Sequence, residues 1–130
     1  MSPKTPALRG LRGAITVSQN SKAEILKQTE ELLRKMLSAN KITAADVASV
    51  IFSATAELNA EFPAAAARKL GMQYTPLLCT REIDVPGSMP KCIRILMHAY
   101  STKSQKEMVH VYLEKAKKLR PDIKNVGRNP

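Results

Sequence analysis

Apolar residues recur along this chain at two different periods, and the changes of period mark its elements. In CIRILMHAY, Cys92 to Tyr100, the residues Ile93, Ile95, Met97 and Ala99 alternate with Cys92, Arg94, Leu96, His98 and Tyr100, the period of two that a strand requires. Both sets are largely apolar, which predicts a strand covered on each face. VASVIFSAT, beginning at Val47, has the β-branched content of a buried strand. TPLLCT, beginning at Thr75, predicts a short strand, and VHVYL, beginning at Val109, a last one. LRGLRGAITV, Leu8 to Val17, mixes β-branched residues with two glycines, and predicts a strand with a bulge or bend.

Between these runs the period changes to that of a helix. SKAE, Ser21 to Glu24, has the form of a capping box, and Ile25, Thr29, Leu32, Leu33, Met36 and Leu37 follow on one stripe. Asn40 and Lys41 close this long helix, and TAAD after it predicts a single turn. FPAAAARKLG places Pro63 at a first helical position, Arg68 and Lys69 in the last turn and Gly71 just beyond, the marks of a helix of about two turns. REIDVPGSMP, with Pro86, Gly87 and Pro90, reads as a loop. The order β, α, β, α, β, β, β predicts a mixed sheet with its helices on one face, an α+β fold.

With 130 residues, 44% of them hydrophobic and 25% charged, the chain has the size and composition of one globular domain. No apolar run approaches a membrane span and the first twenty residues lack a signal-peptide core, so a cytoplasmic protein without a membrane partner is expected. Two cysteines, Cys79 and Cys92, are too few for a disulfide framework, and free thiols are expected. The net charge of +10 points toward a polyanion, but its distribution does not. Residues 1–12 hold three cations and residues 115–130 six against one acid, while residues 13–114 hold twelve cations and ten acids, a net of +2. The surplus lies at the ends, as solvated tails would place it.

Candidate chemistry narrows quickly. Cys79, Cys92, His98 and His110 lack the spacings of a zinc site, and neither cysteine is marked as an activated nucleophile. The glycines of Gly10 to Gly13 do not form a phosphate loop. What remains is a set of arginines and one acid beside apolar structure: Arg9, Arg12, Arg68, Glu82 and Arg94. Each has a structural alternative: Arg68 as a helix cap, Glu82 as a solvated loop acid, Arg12 as an edge-strand charge. Arg94 resists one, because a cation among Ile93, Ile95 and Leu96 loses hydration unless an anion or a carbonyl replaces it. Arginines facing an apolar cleft suit a small carboxylate ligand, which the guanidinium fork pairs in a bidentate way.

Four stretches, RGLRGAIT, FSATAELNAEFPAAAAR, LLCTREIDVPGSMPKCIRILMH and HVYLEKAKKLRPDI, together resemble the small monofunctional chorismate mutases, the trimeric class with a pseudo-α/β-barrel. The likeness implies a domain over 9–123, with 1–8 a flexible extension and 124–130 a tail. It implies a ferredoxin-like subunit, a homotrimer with sites at subunit boundaries, chorismate as substrate, prephenate as product, and no cofactor or metal. It further implies that Arg94 donates to the ether oxygen as the C–O bond breaks, that Arg12 holds a carboxylate and assists at that oxygen, and that Glu82 accepts from the ring hydroxyl. Cys79 would line the same edge, Tyr112 reach a carboxylate and Arg68 stand at the carboxylate-facing rim. Phe62, Ala64, Leu77, Leu78 and Leu119 would supply apolar or backbone contacts. Two positions depart from the family pattern: Ala65 stands in place of a lysine and Leu78 in place of a threonine. Two other readings are kept: a basic, non-enzymatic nucleic-acid-binding module, disfavoured by two Phe, three Tyr and no Trp, and another trimeric small-molecule enzyme such as an imine or enamine hydrolase.

Overall fold

The computed structural model describes residues 5–119; the start of the expected extension, the expected tail and the last residues of the expected domain lie outside them. Five strands and two helices follow in the order β1 (Ala7–Thr16), α1 (Lys22–Ala39), β2 (Val47–Ala54), α2 (Ala64–Lys69), β3 (Leu77–Arg81), β4 (Cys92–Ser101) and β5 (Val111–Leu113). Short 3₁₀ turns at Ala44–Asp46, Gln105–Glu107 and Glu114–Lys118 complete the described chain. The strands form one sheet in the order β3-β2-β4-β1-β5. β4 lies at its centre, antiparallel to both β1 and β2, while β3 and β5 add parallel strands at the two edges.

Helix α1 starts as its sequence requires. The Ser21 hydroxyl accepts from the Glu24 N–H at 3.2 Å, while the Glu24 carboxylate accepts from the Gln28 side chain at 2.9 Å instead of closing the capping box. Ile25, Thr29, Leu32, Leu33 and Met36 are buried against Leu11 and Ile15 of β1 and Ile93, Ile95 and Met97 of β4 in one core. The helix approaches the sheet so closely that a Cβ on Gly13 would stand 2.6 Å from Met36 Sδ and 3.1 Å from Leu32 Cδ1. Close packing therefore explains this glycine, and the expected bulge is absent from β1. Its pairing with β4 runs unbroken from Ala7 opposite Ser101 to Thr16 opposite Cys92. The one irregularity in the sheet falls in β2, between Val47 and Ser49.

The far end of α1 is tied to the sheet by a buried amide. Asn40 Nδ2 donates to the carbonyls of Met36 at 2.8 Å and Val109 at 2.9 Å, and its Oδ1 accepts from the Val109 N–H at 2.7 Å. This clamp occupies Val109, and β5 is accordingly shorter than VHVYL suggested. α2 begins after Pro63, which already has helical dihedrals, and ends before Gly71 at φ 90°, a left-handed position that suits glycine.

The expectation that both faces of β4 are covered is corrected. Ile93, Ile95, Met97 and Ala99 are buried under the helices, but on the other face Leu96 is 37% and Tyr100 50% exposed. Both α1 and α2 lie on the buried side and share its core. Among the described residues the opposite face is closed only at one end, where Ala14, Cys92, Tyr112 and Ala116 form a small second cluster with Met89 and Leu119. Among the described residues no helix is long and apolar enough to cross a membrane.

The Asn40 clamp predicts a specific energetic effect. Asn40→Ala leaves the half-buried Val109 N–H and two carbonyls without their partner and should cost about 2–3 kcal/mol, against about 1 kcal/mol for the cap change Ser21→Ala. Urea unfolding curves of both variants check this; an Asn40→Ala loss no larger than that of Ser21→Ala would show the clamp to be dispensable.

Candidate active site

Residues opposite one another in adjacent strands share a face of the sheet, so the register assembles the site directly. Across the open face, one row runs Thr80, Ser53, Arg94, Ala14, Tyr112 and the next runs Leu78, Ile51, Leu96, Arg12. Arg94 and Arg12 thus lie diagonally adjacent on the uncovered side. Arg94 is not a fully buried cation, as the sequence suggested: its side chain is 42% exposed. The anion it was expected to meet is Glu82, whose Oε2 lies 3.3 Å from Arg94 Nε.

Glu82 follows β3 directly and is held in place by the chain around it. Its N–H donates to the Ala54 carbonyl at 3.0 Å, and its Oε1 accepts from the Ile83 N–H at 3.0 Å. A solvated loop acid would lack these restraints. The ion pair does not have hydrogen-bond geometry, and Arg94 Nε is out of solvent without an acceptor, as is the neighbouring Ser53 Oγ. Two unsatisfied polar atoms side by side are unusual in a sheet and mark a polar site. The Arg12 N–H donates to His110 Nδ1 at 3.0 Å, while its guanidinium has no ion pair among the described residues. Arg9 is structural: its Nε donates to the Lys103 carbonyl at 2.7 Å.

Tyr112 and Leu119 join the same region through the second cluster, with Tyr112 beside Ala14 and Cys92. Below them, Thr55 and Cys92 bond reciprocally: the Thr55 N–H donates to the Cys92 carbonyl and the Cys92 N–H to Thr55 Oγ1, each at 3.1 Å. The Glu57 carboxylate accepts from Thr55 Oγ1 at 2.7 Å and from the Lys91 N–H. These two bonds, the hydroxyl's first, hold its pKa below the usual range. Burial pushes the Cys92 thiol up, against the opposing pull of Arg94.

The other sequence-derived residues assemble elsewhere. Cys79 and Leu77 point from β3 to the helix side of the sheet, where both pack against the core. Phe62, 68% exposed, and Cys79 line one cavity of about 590 Å³ with residues 54–56 and 58–61, Pro63, Thr80 and Arg81. Ala64 is buried in the first turn of α2. Arg68 is exposed, and its side chain makes no cap to its helix. Leu78 is 58% exposed on the open face. The residues therefore fall into two groups: Arg94, Arg12, Glu82, Tyr112 and Leu119 around the open face, and Phe62, Ala64, Arg68, Leu77, Leu78 and Cys79 around β3 and α2. Tyr112 on β5 and Cys79 on β3 stand four strand spacings apart, about 19 Å, on opposite faces.

Ser53, Thr80 and Arg81 enter the site regions without having been singled out in the sequence. Ser53 and Thr80 carry no charge to draw notice, and Arg81 lay within the segment read as a loop, although β3 extends to include it. His98, also on the open face, places Nδ1 3.0 Å from Ser49 Oγ.

Fold and site define an α+β protein that presents two arginines and a carboxylate on an uncovered sheet face. Comparison with known proteins makes this definite. A family model described as chorismate mutase type I matches residues 8–123. The chorismate mutase AroH of Bacillus subtilis is 45% identical over 117 residues, 89% of this chain and 92% of its own. The chorismate mutase AroH of Thermus thermophilus is 47% identical over 119 residues, 91% of this chain and 98% of its own. A solved chorismate mutase from Clostridium thermocellum superposes with a TM-score of 0.82 at 48% identity, covering 83% of this chain and 96% of that one. The chain belongs to the type I chorismate mutase family.

The two free thiols should differ in reactivity. Cys92, buried and with its ionisation suppressed, should resist iodoacetamide at pH 8, whereas half-buried Cys79 should be alkylated faster. Peptide mass mapping against time checks the order; equal rates for both thiols in the folded protein would contradict it.

Proposed function

We propose that this protein converts chorismate to prephenate in aromatic amino acid biosynthesis, as a cytoplasmic homotrimer whose sites lie between subunits. The observation that carries the reading is the juxtaposition of Arg94, Glu82 and Arg12 on an open sheet face in a chain of this family. A Claisen rearrangement needs neither nucleophile nor proton transfer. Its barrier falls when the compact diaxial conformer is held and when charge developing at the breaking C–O bond is met by fixed donors.

Arg94 supplies the cation for the ether oxygen. Glu82 positions that guanidinium in the free site and accepts from the ring hydroxyl in the occupied one. Arg12 and Tyr112 hold carboxylate oxygens, and Leu119 closes the apolar side. Phe62, Ala64, Leu77, Leu78 and Cys79, with Arg68 at the rim, come from a neighbouring subunit, because within one chain they stand too far from Tyr112 to share a ligand. Support for the trimer comes from the uncovered apolar side chains Leu8, Leu78, Leu96 and Tyr100, a patch of the kind that marks association. The chemistry is supplied entirely by side chains, without a cofactor.

Loss of chorismate absorbance on adding the purified protein tests the activity, and the absence of any rate above the spontaneous one would end this reading. Sedimentation tests the assembly, which a monomer at micromolar concentration would exclude. For the mechanism, Arg94 replaced by citrulline keeps shape and hydrogen bonds but loses charge. It should lower kcat by about 10²–10³ with a much smaller change in KM. Turnover within a few fold of the parent would show that the positive charge of Arg94 is not used.

A further inference from the structure

The cavity shared by Phe62 and Cys79 contains a charge that none of the roles above uses. Twelve residues line it, and Arg81 is its one cation. Its one acid, Glu61, is already engaged: the carboxylate lies 3.7 Å from Lys22 Nζ and accepts from the Phe62 N–H at 2.8 Å. Arg81 itself has no hydrogen bond or ion pair among the described residues. Arg81 ends β3 opposite Ala54, two residues beyond Cys79, and so shares the helix side of the sheet with it. Glu82, the next residue, turns to the open face and meets Arg94. At about 590 Å³, the cavity is within the range of small-ligand sites.

We propose that Arg81 is a substrate-binding residue, gripping a substrate carboxylate from the Phe62–Cys79 side of the pocket. The proposal rests on the chorismate reading and adds a cation to it. An unpaired guanidinium among Ala54, Ala56, Leu58, Ala60 and Phe62 has no internal partner to compete with an entering carboxylate, and the planar fork meets both carboxylate oxygens at once. A consequence is that the adjacent residues Arg81 and Glu82, facing opposite sides of the sheet, serve two different sites of the assembly. The competing role is that of a solvated charge at an edge strand, which discourages edge-to-edge pairing.

The test measures kcat and KM for chorismate, and the dissociation constant of an oxabicyclic dicarboxylate mimic of the diaxial conformer, for the parent and for Arg81→Gln, Arg81→Lys and Arg81→Glu. Arg81→Gln should raise KM about tenfold and weaken the mimic comparably, with kcat within about twofold, the pattern of binding lost equally from ground and transition states. Arg81→Lys should recover most of the loss, and Arg81→Glu should bind worse than Arg81→Gln. The parent's KM should also rise more steeply with salt than that of Arg81→Gln. An edge-strand charge predicts the opposite: Arg81→Glu keeps a charge there and would match the parent in KM and in binding, which overturns the proposal. A fall in kcat at constant KM overturns it too. A parent that binds the mimic without turning over chorismate would end the chorismate reading and leave Arg81 to be judged by the dissociation constants. A parent that does neither would end both.

Discussion

The pleat of β4 is the constraint on which the rest of the molecule depends. Its alternate residues Ile93, Ile95, Met97 and Ala99 are locked under the helices, and because neighbouring residues in a strand face opposite ways, Arg94 has to emerge on the other side. A slip of one residue in either neighbouring ladder would bring the arginine beneath α1 and the apolar residues into water, so core burial and site geometry enforce the same register. β4 also pairs with both β1 and β2, which sets Arg12 beside Arg94 and brings the end of β3, with Glu82, within reach.

That arrangement fills one face of the sheet and leaves the other open. The helix side is filled by a continuous core, whereas the open face keeps apolar side chains and unmatched polar atoms in view. The Arg94–Glu82 pair is a workable compromise for the free protein. It neutralises the cation without giving Nε a hydrogen bond, so under the proposed function an entering oxygen would have less to displace than from a fully bonded bridge. The restraints on Glu82 come from backbone groups, which do not change when the guanidinium finds another acceptor.

Much of this was legible from local pattern. The stripe from Ile25 to Met36, the Ser21 cap, the stop at Gly71 and the alternation of β4 each depend on residues within a few positions of one another, and each is found in the structure. Arg94 and Glu82 stood out because charge beside apolar residues is costly. Their partnership did not, since twelve positions and a loop separate them. Ser53, Thr80 and Arg81 were missed for a related reason: a small polar residue in a strand, or a charge at the boundary of a loop, has no local signature of use.

The sequence by itself determined the class of fold, the order of its elements and the residues whose charge needs an explanation, because hydrophobic period and the cost of desolvating a cation are local properties. Only the tertiary structure decided which face of β4 remains open, that Gly13 serves helix packing and not a bulge, that Asn40 ties α1 to Val109, and that the candidate residues divide between two sides of the sheet. Those outcomes depend on strand order and register, and these are set by contacts between residues far apart in the chain, where no periodicity records which partner each strand will meet.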